Sequence, residues 1–362
     1  MAGPRRRADD PPGLGGDRMS RAPLLWCLVA AALFGASTPA AKTLLRGMGP
    51  LTLAGALYLG AAGFAALFAR RGGSREVTGS RRNLKLLAGA VVFGGVLGPA
   101  AMLTGVSLAP AATSALWLNL ETPATAMLGI LFFREHLTRR GWVGVVLVTV
   151  ASFLLAAPSQ FALAPAAGFF LLACVCWGLD NNFTALIDGY TPAQSTFVKG
   201  LLAGSVNLII AVFLGEPTPS ASVFAAALLV GTLSYGASLV LYVASAQHMG
   251  ATRSQLAFAT APFVGVALSW GVLREPLTSA QLGTGLLMAF GVWWGTTDTH
   301  RHKHRHEAMV HTHWHRHDDG HHEHHHARLP VGGWHVHEHE HVPVEHEHPH
   351  RSDLHHRHRH GT

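Results

Sequence analysis

Arg134-Glu135-His136-Leu137-Thr138 closes one long apolar stretch of this chain, and Arg274-Glu275-Pro276-Leu277-Thr278 closes another. Upstream of the two, Pro123 answers Pro262, and Ala112-Thr113 answers Ala251-Thr252. Phe34-Gly35 likewise answers Trp177-Gly178, and Pro50 answers Pro192. The chain therefore reads as a duplication, one unit at 22–157 and a second at 164–295. Each unit holds five apolar segments of bilayer-spanning length, ~20 residues apiece. An odd number of crossings per unit turns the second unit upside down relative to the first, the arrangement called an inverted repeat.

A length of 362 residues would also suit two soluble domains, but the hydropathy pattern excludes them. Ten spans are predicted, at 22–45, 50–69, 84–107, 111–133, 141–157, 164–186, 192–214, 221–246, 251–273 and 277–295, with the charges gathered in the short connections. The first span has a basic lead, like a signal peptide. It is predicted to be retained, because its apolar stretch is too long for that role and it matches the sixth span. Arg5, Arg6, Arg7, Arg18 and Arg21 make residues 1–21 a basic arm. The loop after the second span carries Arg70, Arg71, Arg75, Arg81, Arg82 and Lys85, and Arg134, Arg139 and Arg140 follow the fourth. With both termini cytoplasmic, all of these fall on one side of a cytoplasmic membrane, and little beyond Arg46 and Arg274 falls on the other. The three cysteines, Cys27, Cys174 and Cys176, lie inside spans, which excludes a disulfide framework. They read as small packing residues.

The fold class predicted is an all-α integral membrane protein: ten transmembrane helices as two inverted five-helix repeats, followed at 298–362 by a tail without regular structure. In that tail the composition changes abruptly. All but His136 and His248 of the 26 histidines lie from His300 onward. They form ladders at His300, His302, His304 and His306, at His311, His313, His315 and His317, and at His335, His337, His339 and His341. A cluster at His321, His322, His324, His325 and His326 sits between them. With few apolar residues to bury, such a segment is expected to be disordered in isolation. Neutral imidazole is a ligand for borderline metals, so the tail is a candidate binder of Zn, Ni, Co or Cu through several exchanging sites rather than one closed tetrahedron. On acidification it becomes cationic instead, which would draw it to anionic lipid.

The Phe-Gly or Trp-Gly pair in the opening helix of each unit, the ten-span plan and the Glu-x-Leu-Thr sequence after the fourth and ninth spans resemble the drug/metabolite transporter superfamily. The EamA-type family fits best, with one such repeat at roughly 22–157 and the other at roughly 164–295. The resemblance covers the membrane region and not the histidine tail. It implies secondary transport of small solutes such as amino acids, metabolites or drugs, and it is poor in information about which. A basic residue that the family often carries in the second span of each unit is matched by Lys199, whereas Leu57 stands at the corresponding place in the first unit.

Charged groups at membrane depth cost about 2.5–3.5 kcal/mol each on insertion scales, so each one found there asks for a reason. Glu121, flanked by Trp117, Asn119 and Pro123, reads either as a gating or ion-coupling carboxylate or as a hydrogen-bonded tie between helices. Asp180, beside Asn181, and Lys199 are expected to form an ion pair, as a gate or as a static clasp. Ser37-Thr38-Pro39 interrupts the first span at the position equivalent to Asp180-Asn181, and both sites are expected to line a cavity. Glu135 and Glu275 read as structural, each just before a threonine, Thr138 or Thr278, suited to cap the next helix. Lys42 is expected near an outer end, with its ammonium reaching toward the surface.

No phosphate-binding loop, nucleophile with a base or ATPase element is present, so an enzyme is not expected. No cofactor is required, and no nucleic-acid partner is expected. Three functional readings remain open: an exporter of small organic solutes with a metal-binding regulatory tail, a transition-metal exporter whose tail gathers the ion, and a membrane-tethered metal reservoir or sensor. The lipid bilayer, a small solute and transition-metal ions are the partners these readings call for; the oligomeric state is not legible.

Overall fold

The computed structural model describes residues 22–69, 81–108, 117–133, 135, 137–156, 164–187, 190–261, 263–264 and 279–296, and the backbone of the strands 300–305, 309–315, 335–341 and 345–350. Every regular element of the membrane region among these residues is a helix. The first span is α1 (Ala22–Gly35) and α2 (Ser37–Leu44), broken at Ala36 where the expected interruption lies. The second is α3 (Pro50–Ala69). The third runs through α4 (Arg81–Gly89), a π-helical segment Ala90–Leu97 and α5 (Gly98–Leu108). A 3₁₀ turn at Leu118–Leu120 leads into α6 (Glu121–Phe133), and α7 (Arg139–Ala156) completes the first unit.

The second unit repeats the plan with α8 (Ala164–Ala185), α9 (Pro192–Phe213), α10 (Ala221–Val230), a π-helical segment Gly231–Ala237, α11 (Ser238–Met249), α12 (Ala251–Phe258) and α13 (Ser279–Thr296). The π-helical geometry thus recurs in the third span of each unit. Most predicted boundaries hold within a few residues. Among the described residues, six helices are long and apolar enough, by length and composition, to cross a bilayer: Ala22–Leu44, Pro50–Ala69, Arg81–Leu108, Ala166–Ala185, Pro192–Phe213 and Ala221–Met249. The start of the fourth span and the later part of the ninth lie outside the described residues.

Helix ends follow local chemistry. Thr138 accepts from the N–H of Gly141 at 3.1 Å, the cap expected for α7. Thr191 and Gln194 form a reciprocal capping box at the start of α9, with Pro192 at the first helical position. Gly250 (φ +84°) turns the chain between α11 and α12 in a conformation that favours glycine.

Packing is inside-out relative to a soluble protein. Apolar side chains such as Leu131, Phe132, Val212, Phe213 and Leu286 are exposed on the rim, whereas Glu121, Asp180, Asn181, Asn182, Lys199 and Asn207 are buried. An aqueous protein would invert that distribution; hydrocarbon solvent accounts for it. α3 packs on α9, and α7 on α13. α8 packs on the third span while α1 packs on the eighth; α8 packs on α6 while α1 packs on α12. Exchanging the two units therefore reproduces the neighbours. Glycine permits the closest crossings: a methyl at Gly231 would collide with the Leu57 backbone, and one at Gly60 with the Leu228 carbonyl.

In the tail, four short strands are described. β1 (His300–Arg305) pairs antiparallel with β4 (Glu345–His350), and β2 (Met309–His315) with β3 (His335–His341). His-X-His alternation has the two-residue period of a strand, and the register sets Lys303 opposite Glu347 and Arg305 opposite Glu345, pairs of opposite charge. Low complexity concealed a pattern compatible with pairing.

Candidate functional site

α8 carries the centre of the site because three of its adjacent residues, Asp180, Asn181 and Asn182, point polar groups into the bundle. Lys199 of α9 forms a buried ion pair with the Oδ2 of Asp180, as the sequence suggested. Thr184, one turn on, donates from Oγ1 to the Asp180 carbonyl at 2.6 Å and to Oδ1 at 3.0 Å. The carboxylate lies against Gly94 of the π-helical segment, where any side chain would collide with it. A narrow cleft reaches Lys199 between Thr184, Ser195 and Thr196 on its polar side and Leu87, Leu239 and Val243 on its apolar side. The Thr196 hydroxyl is buried there without a hydrogen-bond partner.

Glu121 forms a second, connected group. Its Oε1 accepts from the side-chain amide of Asn181 at 2.7 Å. The same amide nitrogen lies 3.1 Å from Thr125 Oγ1 and 3.3 Å from Gln255 Oε1, and Tyr242 donates its hydroxyl to that Gln255 oxygen at 3.2 Å. Three elements, α6, α8 and α12, thus meet through one amide. Asn182 is a clamp instead: its amide donates to the carbonyls of Thr125 and Gly178.

An aromatic layer joins the two groups. Phe34 contacts Trp177, Tyr235 and Phe258, Tyr58 contacts Tyr235, and Tyr242 contacts Phe258. Tyr58 and Trp177 both donate to the Gly94 carbonyl, at 2.5 and 3.2 Å, and Asn207 donates to the Gly95 carbonyl at 2.9 Å. A π-helical segment displaces carbonyls from the ordinary helical ladder, and side chains from neighbouring helices collect them here.

Of the residues singled out from sequence, Glu121, Asp180, Asn181 and Lys199 come together in this interior. Ser37 is fully buried in the helix break, and Trp117 is half-buried, its carbonyl 3.5 Å from Cys174 Sγ. The side chains of Thr38 and Asn119 lie outside the described residues, as does Glu275. Glu135 sits apart at the end of α6, where it serves the opening of α12 across the seam between the units. Its Oε1 accepts from the Thr252 N–H at 3.1 Å and its Oε2 from Thr252 Oγ1 at 2.5 Å. Lys42, half-buried, donates to the Val106 carbonyl at the end of α5 at 2.6 Å. Tyr58, Thr125, Tyr242, Gln255 and Thr196 were not anticipated. The available signal for Gln255 is the polar run Thr252-Arg253-Ser254-Gln255 at the start of a span.

The cysteines are buried packing elements, and no group of three metal-ligating residues occurs among the described side chains. Of the tail histidines, His300, His302, His304, His311, His313 and His315 fall in described strands; His306, His317, His321, His322, His324, His325 and His326 lie outside the described residues.

The sequence matches the EamA-like transporter family over residues 21–157 and again over 164–297. It is 27% identical over 288 residues to an uncharacterized transporter of Methanothermobacter thermautotrophicus, covering 73% of this chain and 83% of that protein. A crystal structure of a protein 17% identical superposes with a TM-score of 0.62, covering 76% of this chain and 98% of the other, a likeness of fold alone.

Proposed function

The chain belongs to the EamA-like transporter family, and from that premise we propose that this membrane transporter exports small organic solutes across the cytoplasmic membrane by alternating access between two inverted five-helix units. The observation that carries the proposal is the set of charged residues in the interior: Glu121 from the first unit, Asp180 and Lys199 from the second, joined through Asn181 and wrapped in aromatic rings. Charges of this kind inside spans mark solute or ion paths. The inverted arrangement is supported by the neighbours that recur on exchange of the units and by the π-helical segment found in both. Both termini are assigned to the cytoplasm by the basic loops. The histidine tail is assigned a regulatory, metal-binding role.

A second reading, transition-metal export, is favoured by the strand pairing in the tail, which brings distant histidines opposite one another; a membrane-tethered metal reservoir or sensor would use the same feature. Comparing cells that carry the full chain, the chain ended at Asp298, or no copy tests these readings. Metabolite profiling of the medium should show solutes released by both versions of the transporter. Unchanged solute release together with altered cellular metal content would replace the first reading with the second. If that metal effect survived loss of a working core, the reservoir reading would stand instead.

A further inference from the structure

The two ladders of the tail bring together histidines that the sequence keeps apart. Between β2 and β3, His311 faces His339, His313 faces His337 and His315 faces His335. Between β1 and β4, His300 faces His350, His302 faces His348 and His304 faces His346. Successive residues of a strand alternate between faces, so each run of alternate histidines falls on one face of its ladder. Residues directly opposite one another have Cβ atoms roughly 4.5–5.5 Å apart. The β1–β4 ladder therefore presents a face on which every register position is histidine, and the β2–β3 ladder one that is histidine throughout except for Met309 opposite His341. The remaining positions are of another kind: Val310, Thr312 and Trp314 oppose Glu340, Glu338 and Val336 in one ladder, and Lys303 and Arg305 oppose Glu347 and Glu345 in the other.

We propose that the histidine face of the β2–β3 ladder is a binding site for a borderline divalent metal, Zn²⁺ or Ni²⁺ among them, in which an i, i+2 pair from one strand acts with a facing histidine from the other. Three imidazole nitrogens with an open fourth position form an established zinc environment, and imidazole suits Ni²⁺ equally. The β1–β4 ladder repeats the arrangement. The inference rests on the metal-binding role of the tail and goes beyond it by naming the histidines that act together. Distant in sequence, His335, His337 and His339 stand opposite His315, His313 and His311. A site assembled from two strands also couples binding to pairing, so metal would hold the ladder closed.

The test uses the purified full-length protein in detergent at neutral pH, titrated calorimetrically with ZnCl₂ alone. His311, His313 and His315 are changed to Asn in one variant, and His335, His337 and His339 in a second. A third variant combines the two, and a fourth changes His355, His356 and His358, outside the ladders. Each ladder triple is expected to weaken the tightest site by about tenfold or more, the size of coupling seen between interacting residues, with little further loss on combining them. The control triple leaves that site unchanged. A finer cycle of His313→Asn with His337→Asn should be non-additive, and one of His313→Asn with His348→Asn additive. If all triples weaken binding equally and additively, the facing arrangement is wrong while the metal-binding tail survives. Absence of any Zn²⁺ binding by the unaltered protein overturns both.

Discussion

Replacing Lys199 by Met is the most direct probe of the interior. Lys199 and Asp180 are each about 5% exposed, and the pair bridges α9 and α8. Removing the cation leaves the Asp180 carboxylate with the Thr184 hydroxyl as its remaining side-chain donor, in a setting of glycine backbone and apolar residues. Breaking a buried pair by removing one partner costs about 3–5 kcal/mol, because an uncompensated charge stays behind. At roughly 2–4 °C per kcal/mol for a domain of this order, the melting temperature should fall by on the order of 10 °C. Asp180→Asn combined with Lys199→Met removes both charges and should recover most of the loss, since a neutral pair of similar volume is often as stable as the ions. Thermal denaturation in detergent, monitored on all three variants, gives the answer. A Lys199→Met protein that melts with the unaltered chain, or a double variant no more stable than the single ones, refutes the pairing argument. Solute release by the double variant then divides the two roles: retained release identifies a static clasp, and lost release with restored stability identifies a gate.

Glu121→Gln keeps an oxygen for the Asn181 amide and removes the charge, so the protein should fold normally while solute release loses its dependence on external pH; vesicle transport over a pH series checks this. Glu135→Ala deletes the acceptor for the Thr252 N–H and hydroxyl and should cost ~1 kcal/mol at the start of α12, seen as faster hydrogen exchange from Thr252 to Leu256. Gly231→Ala meets the Leu57 backbone, which cannot rotate away, and should destabilise the crossing by roughly 1–3 kcal/mol in the same melting assay. Metal binding by the tail needs neutral imidazole, so Zn²⁺ affinity should hold above the ordinary imidazole pKa of about 6.5 and fall as the pH drops through it; calorimetry at stepped pH checks the direction.

The frame of the molecule was legible because bilayer-spanning helices need long apolar runs, and charges interrupting such runs stand out. Glu121, Asp180 and Lys199 were visible for that reason, as was the break at Ala36, which Pro39 three residues on announces. What stayed hidden depends on partners. Ala90–Leu97 is apolar and glycine-rich, indistinguishable by composition from ordinary helix, and its π-helical form is accompanied by the donors Tyr58 and Asn207 from other spans. The link from Glu121 through Asn181 to Gln255 and Tyr242 joins three elements that no local pattern connects. In the tail, the alternation that looked like low complexity has the period of a strand, and only the register revealed which histidines face each other.

The duplication also explains why this interior is asymmetric. Asp180 falls where the first unit has Ser37, Lys199 where it has Leu57, and Glu121 where the second unit has Thr260. Two units that pack alike have thus parted company at the three charged positions. With Lys199 matched to Asp180, the Glu121 carboxylate is the unbalanced group of the cluster, held by amide and hydroxyl partners. Neutral hydrogen bonds of this kind stabilise a carboxylate less than a cation would. A cycle that closes the interior around Glu121 must therefore bring one positive charge to it, as a proton, as a metal ion or as the ammonium of a solute. On the proposed transport reading, that requirement would tie the transport step to the ionic state of a single side chain. It is why the Glu121→Gln variant, which cannot accept that charge, should lose pH dependence while keeping its fold.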